Sequence, residues 1–169
     1  FSNKSRENMS DFLDELQINK HKNIKVIRPE EGISTYALID ASRAVLIYNT
    51  KTGIEASYRK KPVITAGEAW IKGKGISFDA YSAHEYLEIL ERFADEEIKM
   101  SESQICRAEK YAHHFFFKRM IRLQNFVGGK YLVQKEGFEW ISFLGYDDPN
   151  FGEILDAIEE NRTPYSKVI

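Results

Sequence analysis

Apolar positions along the chain change their spacing several times, and each change marks an element. From about Ser10, Phe12, Leu13 and Leu16 recur at helical intervals and predict a first amphipathic helix. NIKVIRP (23–29) is instead a compact apolar run whose Val and Ile favour a buried strand. STYALIDAS reads as a helix capped by Ser34 or Thr35, and AVLIYN (44–49) as a second strand. A polar loop, a helix across 53–60 and a third strand, PVITAG (62–67), follow, with ISF (76–78) as a short fourth strand. Pro62 is compatible with its strand because it opens it, where no ladder hydrogen bond is lost.

Strands alternating with short helices imply parallel pairing through right-handed crossovers. The expected fold class is therefore α/β, a layered parallel sheet with flanking helices. The unbroken apolar character of AVLI and PVIT predicts strands covered on both faces. Further on, Ser82 and Glu85 form a capping-box pattern ahead of a stripe of Tyr86, Leu87, Leu90 and Phe93. A longer helix is expected from about Ser103 to Asn125, carrying YAHHFFFKRMIRL and ended by Gly128 and Gly129. DDPNFGEILDAIEEN predicts a last helix, with Phe151, Ile154, Leu155 and Ile158 inward and Asp147 or Asp148 near its start. This divides the chain into a main domain over 1–130 and a carboxyl-terminal extension over 131–169.

Composition narrows the classes. A chain of 169 residues with 43% hydrophobic and 30% charged content is an ordinary globular sequence, long enough for a real core. With 24 basic against 26 acidic residues, a dominant nucleic-acid or anionic-membrane surface is not expected. The single cysteine, Cys106, excludes an internal disulfide framework, fits a reducing compartment, and reads as a packing residue in a helix. No apolar run approaches the roughly 18 residues of a spanning helix, and FSNKSRENMS lacks the pattern of a signal peptide.

The candidate chemistry lies in YNTKTGIEAS. In an open parallel sheet, ligands sit beyond the carboxyl ends of strands, where helices begin. Asn49, Thr50, Lys51, Thr52 and Gly53 occupy such a place, offering hydroxyls, a cation and a close backbone approach to a phosphate. Glu55, just inside the helix, can accept ribose hydroxyls; the alternative is a dipole-complementing glutamate behind a threonine cap. A second loop, EAWIKGKGISF, alternates Lys72 and Lys74 with Gly73 and Gly75 and reads as mobile and cationic, able to close over a diphosphate or as a plain solvated loop. Trp70 reads as a core residue before a stacking one. His113 and His114 are adjacent, so they face different sides of their helix, and His21 and His84 stand apart; no metal site is expected. FFF (115–117) with Lys118, Arg119 and Arg122 is read as a helix packed on the sheet rather than a membrane-surface helix.

ISTYALIDASRAVLIYNTKTGIEASYRKKPVITAG followed by IKGKGISFDAYSAHEYLEIL resembles the carboxyl-terminal half of the bacterial capsule polysaccharide biosynthesis family. The pieces that match are Tyr36 to Leu38, the strand at 44–49, Thr50 to Ala56, Lys60 to Val63, and Lys74-Gly75; YAHHFFFKRMI also looks like that family's terminal helix. The resemblance makes the layered sheet a three-layer Rossmann-like one, and implies one half of a GT-B glycosyltransferase and a role in capsule or surface polysaccharide synthesis. It assigns Thr50, Thr52 and Gly53 to phosphate and Glu55 to ribose or base. Lys51 departs from a small residue in the loop, and Lys60-Lys61 replaces Gly-Lys before the proline. The partners implied are a nucleotide-sugar donor, a polysaccharide or glycolipid acceptor, and a separate amino-terminal domain carrying the acceptor site and catalytic base. No metal or other cofactor is expected, and the setting is cytoplasmic, extending to the cytoplasmic face of the inner membrane. The alternative is a non-catalytic Rossmann-like module that docks a partner through its aromatic carboxyl-terminal helix. A phosphate-sensing domain of flavodoxin-like type is weaker, since no phosphoacceptor aspartate stands out.

Overall fold

The computed structural model describes residues 9–121, 123, 126–127, 133–134 and 149–166. The chain divides into two compact units, residues 1–41 and 42–169. The expected boundary near residue 130 lies outside the described residues, as do Arg122, Asn125, Gly128, Gly129, Asp147 and Asp148.

The first unit holds two short helices, α1 (Met9–Glu15) and α2 (Thr35–Ala41), with 3-10 turns at Ile18–Lys20 and Pro29–Glu31. Arg28 ties the unit together, placing Nη2 3.1 Å from both carboxylate oxygens of Asp14. The strand expected at 23–29 does not form. Its backbone is extended at Arg28 but pairs with no neighbour, and Pro29 turns it at once into a 3-10 turn closed by Arg28 N–H donating to Glu31 Oε1. A strand needs a ladder partner, and apolar content alone does not supply one. Phe12 and Leu16, expected to face inward, remain about half exposed.

The second unit carries the sheet. Strands β1 (Val45–Ile47), β2 (Val63–Thr65) and β3 (Phe78–Asp79) lie parallel in the order β1-β2-β3, with Ile47 opposite Thr65 and Thr65 opposite Asp79. Helix α3 (Thr52–Tyr58) crosses from β1 to β2, and α4 (Ala83–Asp95) and α5 (Glu102–His113) follow β3. The helix α5 runs on into a π-helical segment, His114–Arg119. A two-stranded antiparallel pair, β4 (Phe126–Val127) with β5 (Val133–Gln134), and α6 (Pro149–Glu159) complete it. This small open parallel sheet with flanking helices is the α/β arrangement expected, with three strands in place of four.

Ile54, Val63, Ile64, Ile71 and Ile76 form the centre of the core, none more than 1% exposed. Each contributes about 1.5–3 kcal/mol relative to an exposed side chain. All of β2 is buried, as predicted, and Pro62 precedes it with its carbonyl accepting from Val45 N–H. β1 departs from the prediction: Leu46 is half exposed, because it points to the face opposite Val45 and Ile47, and only their face is turned to the core.

Helix ends follow local chemistry. Ser82 Oγ accepts from Glu85 N–H while Glu85 accepts from Tyr81 N–H, one residue before the expected box partner. Ser101 and Gln104 make a full capping box for α5. Along α4, Leu87 is exposed, whereas Phe93 sets its ring edge-on to Phe78 at 5.0 Å. The long helix expected to reach residue 125 stops at Arg119, where Lys118 C=O is taken by Ser166 N–H at 2.8 Å instead of by another turn. Cys106 lies on the exposed side of α5, not in the packing it was expected to join. Ile158, expected inward, is 71% exposed. The inward face of α6 is rotated to Gly152, Glu153 and Ala157, because the buried Glu153 carboxylate is taken in by Arg162.

Candidate functional site

The loop after β1 closes on itself. Thr50 Oγ1 accepts from Thr52 N–H at 3.3 Å and donates to Thr52 Oγ1 at 3.1 Å, and Ile54 N–H donates to Lys51 C=O at 2.8 Å. Asn49, Thr50 and Lys51 are exposed, Thr52 is half-buried, and Glu55 sits part-buried in the first turn of α3. Gly53 has a packing reason for its identity. It is buried against Ile47 and Ile71, and a methyl group there would stand 3.2 Å from Ile71 Cδ1 and closer still to Ile47.

The Lys-Gly loop after β2 is pinned rather than mobile. Ile71 and Ile76 anchor its two ends in the core. Gly73 and Gly75 take left-handed conformations, φ +71° and +64°, that side-chain-bearing residues rarely adopt. Asp79, at the carboxyl end of β3, collects the loop: Oδ2 accepts from Gly73 N–H at 2.7 Å, while Oδ1 accepts from Thr65 Oγ1 at 2.6 Å and Ser77 Oγ at 2.5 Å. Arg107 on α5 donates to Gly75 C=O at 3.2 Å. Asp79 was not singled out from sequence; its signal is an acid at a strand's carboxyl end beside a serine two residues back.

The two loop lysines part company. Lys72 pairs with Glu68 at 3.0 Å and stands 4.8 Å from the Tyr81 ring centre. Lys74 points the other way, 5.7 Å from the ring centre of Tyr111. Lys51 stands over the neighbouring ring, its ammonium 5.6 Å from the ring centre of Phe115. Tyr111 and Phe115 stack with centroids 6.3 Å apart, and Trp70 meets Phe115 edge-on at 5.3 Å. Trp70 is thus half exposed at a cleft, not the core residue expected. Trp70, Lys74, Tyr111, His114, Phe115 and Arg119 line this cleft, which encloses about 500 Å³.

Among the described residues, the lining holds cations and rings and no carboxylate. Tyr111 donates to Trp70 C=O at 2.8 Å. Burial pushes its phenol above the ordinary value, against the opposing pull of the Arg119 charge. Such a cleft can hold an anionic group between ammonium and guanidinium while a flat group lies against the rings. Of the sequence-derived set, Lys74 lines this cleft and Lys51 reaches the Phe115 ring; Lys72 does neither. Tyr111, His114, Phe115 and Arg119 were missed, although their spacing of three and four residues places them along one side of a helix. Among the described residues, no group of three His, Cys, Asp or Glu is placed to hold a metal, and no helix is long and apolar enough to cross a membrane.

Residues 3–115 match the profile of the family described as capsule polysaccharide biosynthesis protein. That span takes in both loops and ends within the aromatic cluster at Phe115. No curated protein and no solved structure matches the chain.

Proposed function

Since this chain belongs to the capsule polysaccharide biosynthesis family, we propose that it binds the nucleotide-sugar donor of a glycosyltransferase acting in capsule synthesis. The observation that carries this reading is the convergence of Lys51 and Lys74, from two separate loops, on one aromatic cluster that Arg119 also borders.

In this reading, Asn49, Thr50, Lys51, Thr52 and the amides that open α3 receive the phosphate, and Lys74 and Arg119 bring countercharge from the other side. Glu55 takes the ribose or the base. As the glycosidic bond forms, negative charge grows on the departing nucleotide phosphate, and pre-placed cations stabilise it without reorganising. Lys72, neutralised by Glu68, holds its loop rather than the phosphate. The chain then serves as the donor-binding half of a GT-B enzyme on the cytoplasmic side, and the acceptor site and catalytic base come from the other half.

Ligand-observed NMR with CMP, UDP, GDP and their sugars tests this. One nucleotide is expected to bind, and Glu55→Ala to weaken it about tenfold, or 1.4 kcal/mol, with the fold retained. Lys51→Ala and Lys74→Ala should weaken it as well. Unchanged affinity in all three folded variants would remove these loops from the site. Silence across the panel, together with concentration-dependent association through residues 111–126, would favour the non-catalytic docking module.

A further inference from the structure

A second crevice opens at the carboxyl ends of β1, β2 and β3, separate from the cationic cleft and about 480 Å³ in volume. Its walls include Tyr48 and Tyr81, which are 75% and 69% exposed. Exposed rings are ordinary when single and loose; these two share one crevice and are each held from behind. Tyr48 lies directly over Gly67, where a methyl group would come within 2.8 Å of Cδ2 and 2.9 Å of Cε2. Tyr81 is backed by the Lys72 ammonium, itself anchored on Glu68, and its N–H donates to Glu85 Oε2 at 2.7 Å. Both rings therefore meet solvent already oriented, which lowers the entropy a ligand must overcome.

We propose that this crevice is a saccharide site in which a neutral pyranose ring stacks on Tyr48 and Tyr81. The electron-rich face of a tyrosine attracts the weakly positive C–H face of a pyranose, as it attracts the edge of another ring. Hydroxyl partners stand around it: the Glu68 carboxylate, the Ser82 hydroxyl and the tyrosine hydroxyls. A phosphate is disfavoured, because among the described residues the one cation in the wall, Lys72, is already paired with Glu68. The two clefts thus divide the work by charge, anion on one side and neutral ring on the other. The inference rests on the donor-binding reading only for where the ring comes from, the donor's sugar or the growing glycan.

The test is saturation-transfer NMR of the full chain with methyl β-glucopyranoside, methyl β-galactopyranoside, methyl α-mannopyranoside and chitotetraose. Transfer to ring C–H protons is expected, and Tyr48→Ala and Tyr81→Ala should each weaken binding about three- to tenfold. Gly67→Ala should weaken it too, by displacing the Tyr48 carbonyl and ring together while leaving the ring in the chain. Absence of transfer from all four probes, or transfer unchanged in both tyrosine variants, overturns the proposal. Nucleotide binding is measured on the same samples. Saccharide silence with nucleotide binding intact sinks this inference alone, and the reverse sinks only the donor reading. A sugar nucleotide that displaces the glycoside identifies the donor's sugar as the ring, and simultaneous binding identifies the glycan; either result upholds the site.

Discussion

Tyr111 shows how one side chain joins two loops to a helix. Its hydroxyl holds Trp70 C=O, its ring carries Lys74, and its neighbour Phe115 carries Lys51. Burial raises its pKa above 10.0 and the Arg119 charge only partly opposes this. The folded protein therefore favours the protonated phenol. That contribution is complete below the ordinary value and is lost as pH climbs through the raised folded value. Denaturant midpoints measured from about pH 8 to 11 should fall at the alkaline end, and Tyr111→Phe should make that fall shallower. Equal slopes for both proteins would show that the phenol is not linked to folding. At this scale, the stretch from Asn49 to Gly53 was legible as the junction of β1 with α3, Glu55 as the acid of that helix's first turn, and Lys74 only as part of a Lys-Gly alternation. Tyr111, Phe115 and Arg119 were not, because what joins them to Lys51 is the packing of α5 against α3, and nothing local records it.

The turn after α3 teaches the same lesson for an element. Lys61 N–H donates to Ala56 C=O and Lys60 N–H to Ser57 C=O, both at 3.0 Å, which is the paired closure of a Schellman motif. The residue at its centre, Lys60, has φ +62°, a left-handed conformation in which a Cβ is unfavourable. Here the resembled pattern carries glycine. Lys60→Gly should raise stability by about 1 kcal/mol, read as a higher urea midpoint at unchanged slope; a neutral or lower midpoint would mean the lysine side chain compensates elsewhere. The same closure ends α6, with Asn161 at φ +52° and Arg162 N–H donating to Ala157 C=O. Caps were readable at this scale, Ser82 above all, because a hydroxyl three residues before a free amide is a local bond. The strand at 23–29 was misread because ladder pairing is not local.

For the whole molecule, a net charge of −2 conceals an uneven distribution. Lys74 and Arg119 line one cleft and Lys51 lies against its Phe115 ring, whereas Lys72 is paired with Glu68 beside the other. Raising ionic strength from about 0.05 to 0.5 M shortens the screening length well below 10 Å. Nucleotide affinity should then fall several-fold while glycoside affinity holds. Equal salt dependence of both ligands would contradict the division by charge. Family membership extends across both compact units, from residue 3 to 115.

By itself, the sequence determined the α/β alternation, the buried β2, the amino-terminal cap of α4 and the strand-to-helix junction after β1, since each depends on residues within a few positions of one another. The tertiary structure alone decided that Lys72 and Lys74 face different clefts, that Gly53 is small to admit Ile47 and Ile71, and that Asp79 fastens the Lys-Gly loop. It also set Tyr48 over Gly67 and Tyr81 against Lys72. Those outcomes follow from separate elements and loops competing for the same space, and the local order of residues does not encode which side chain arrives there.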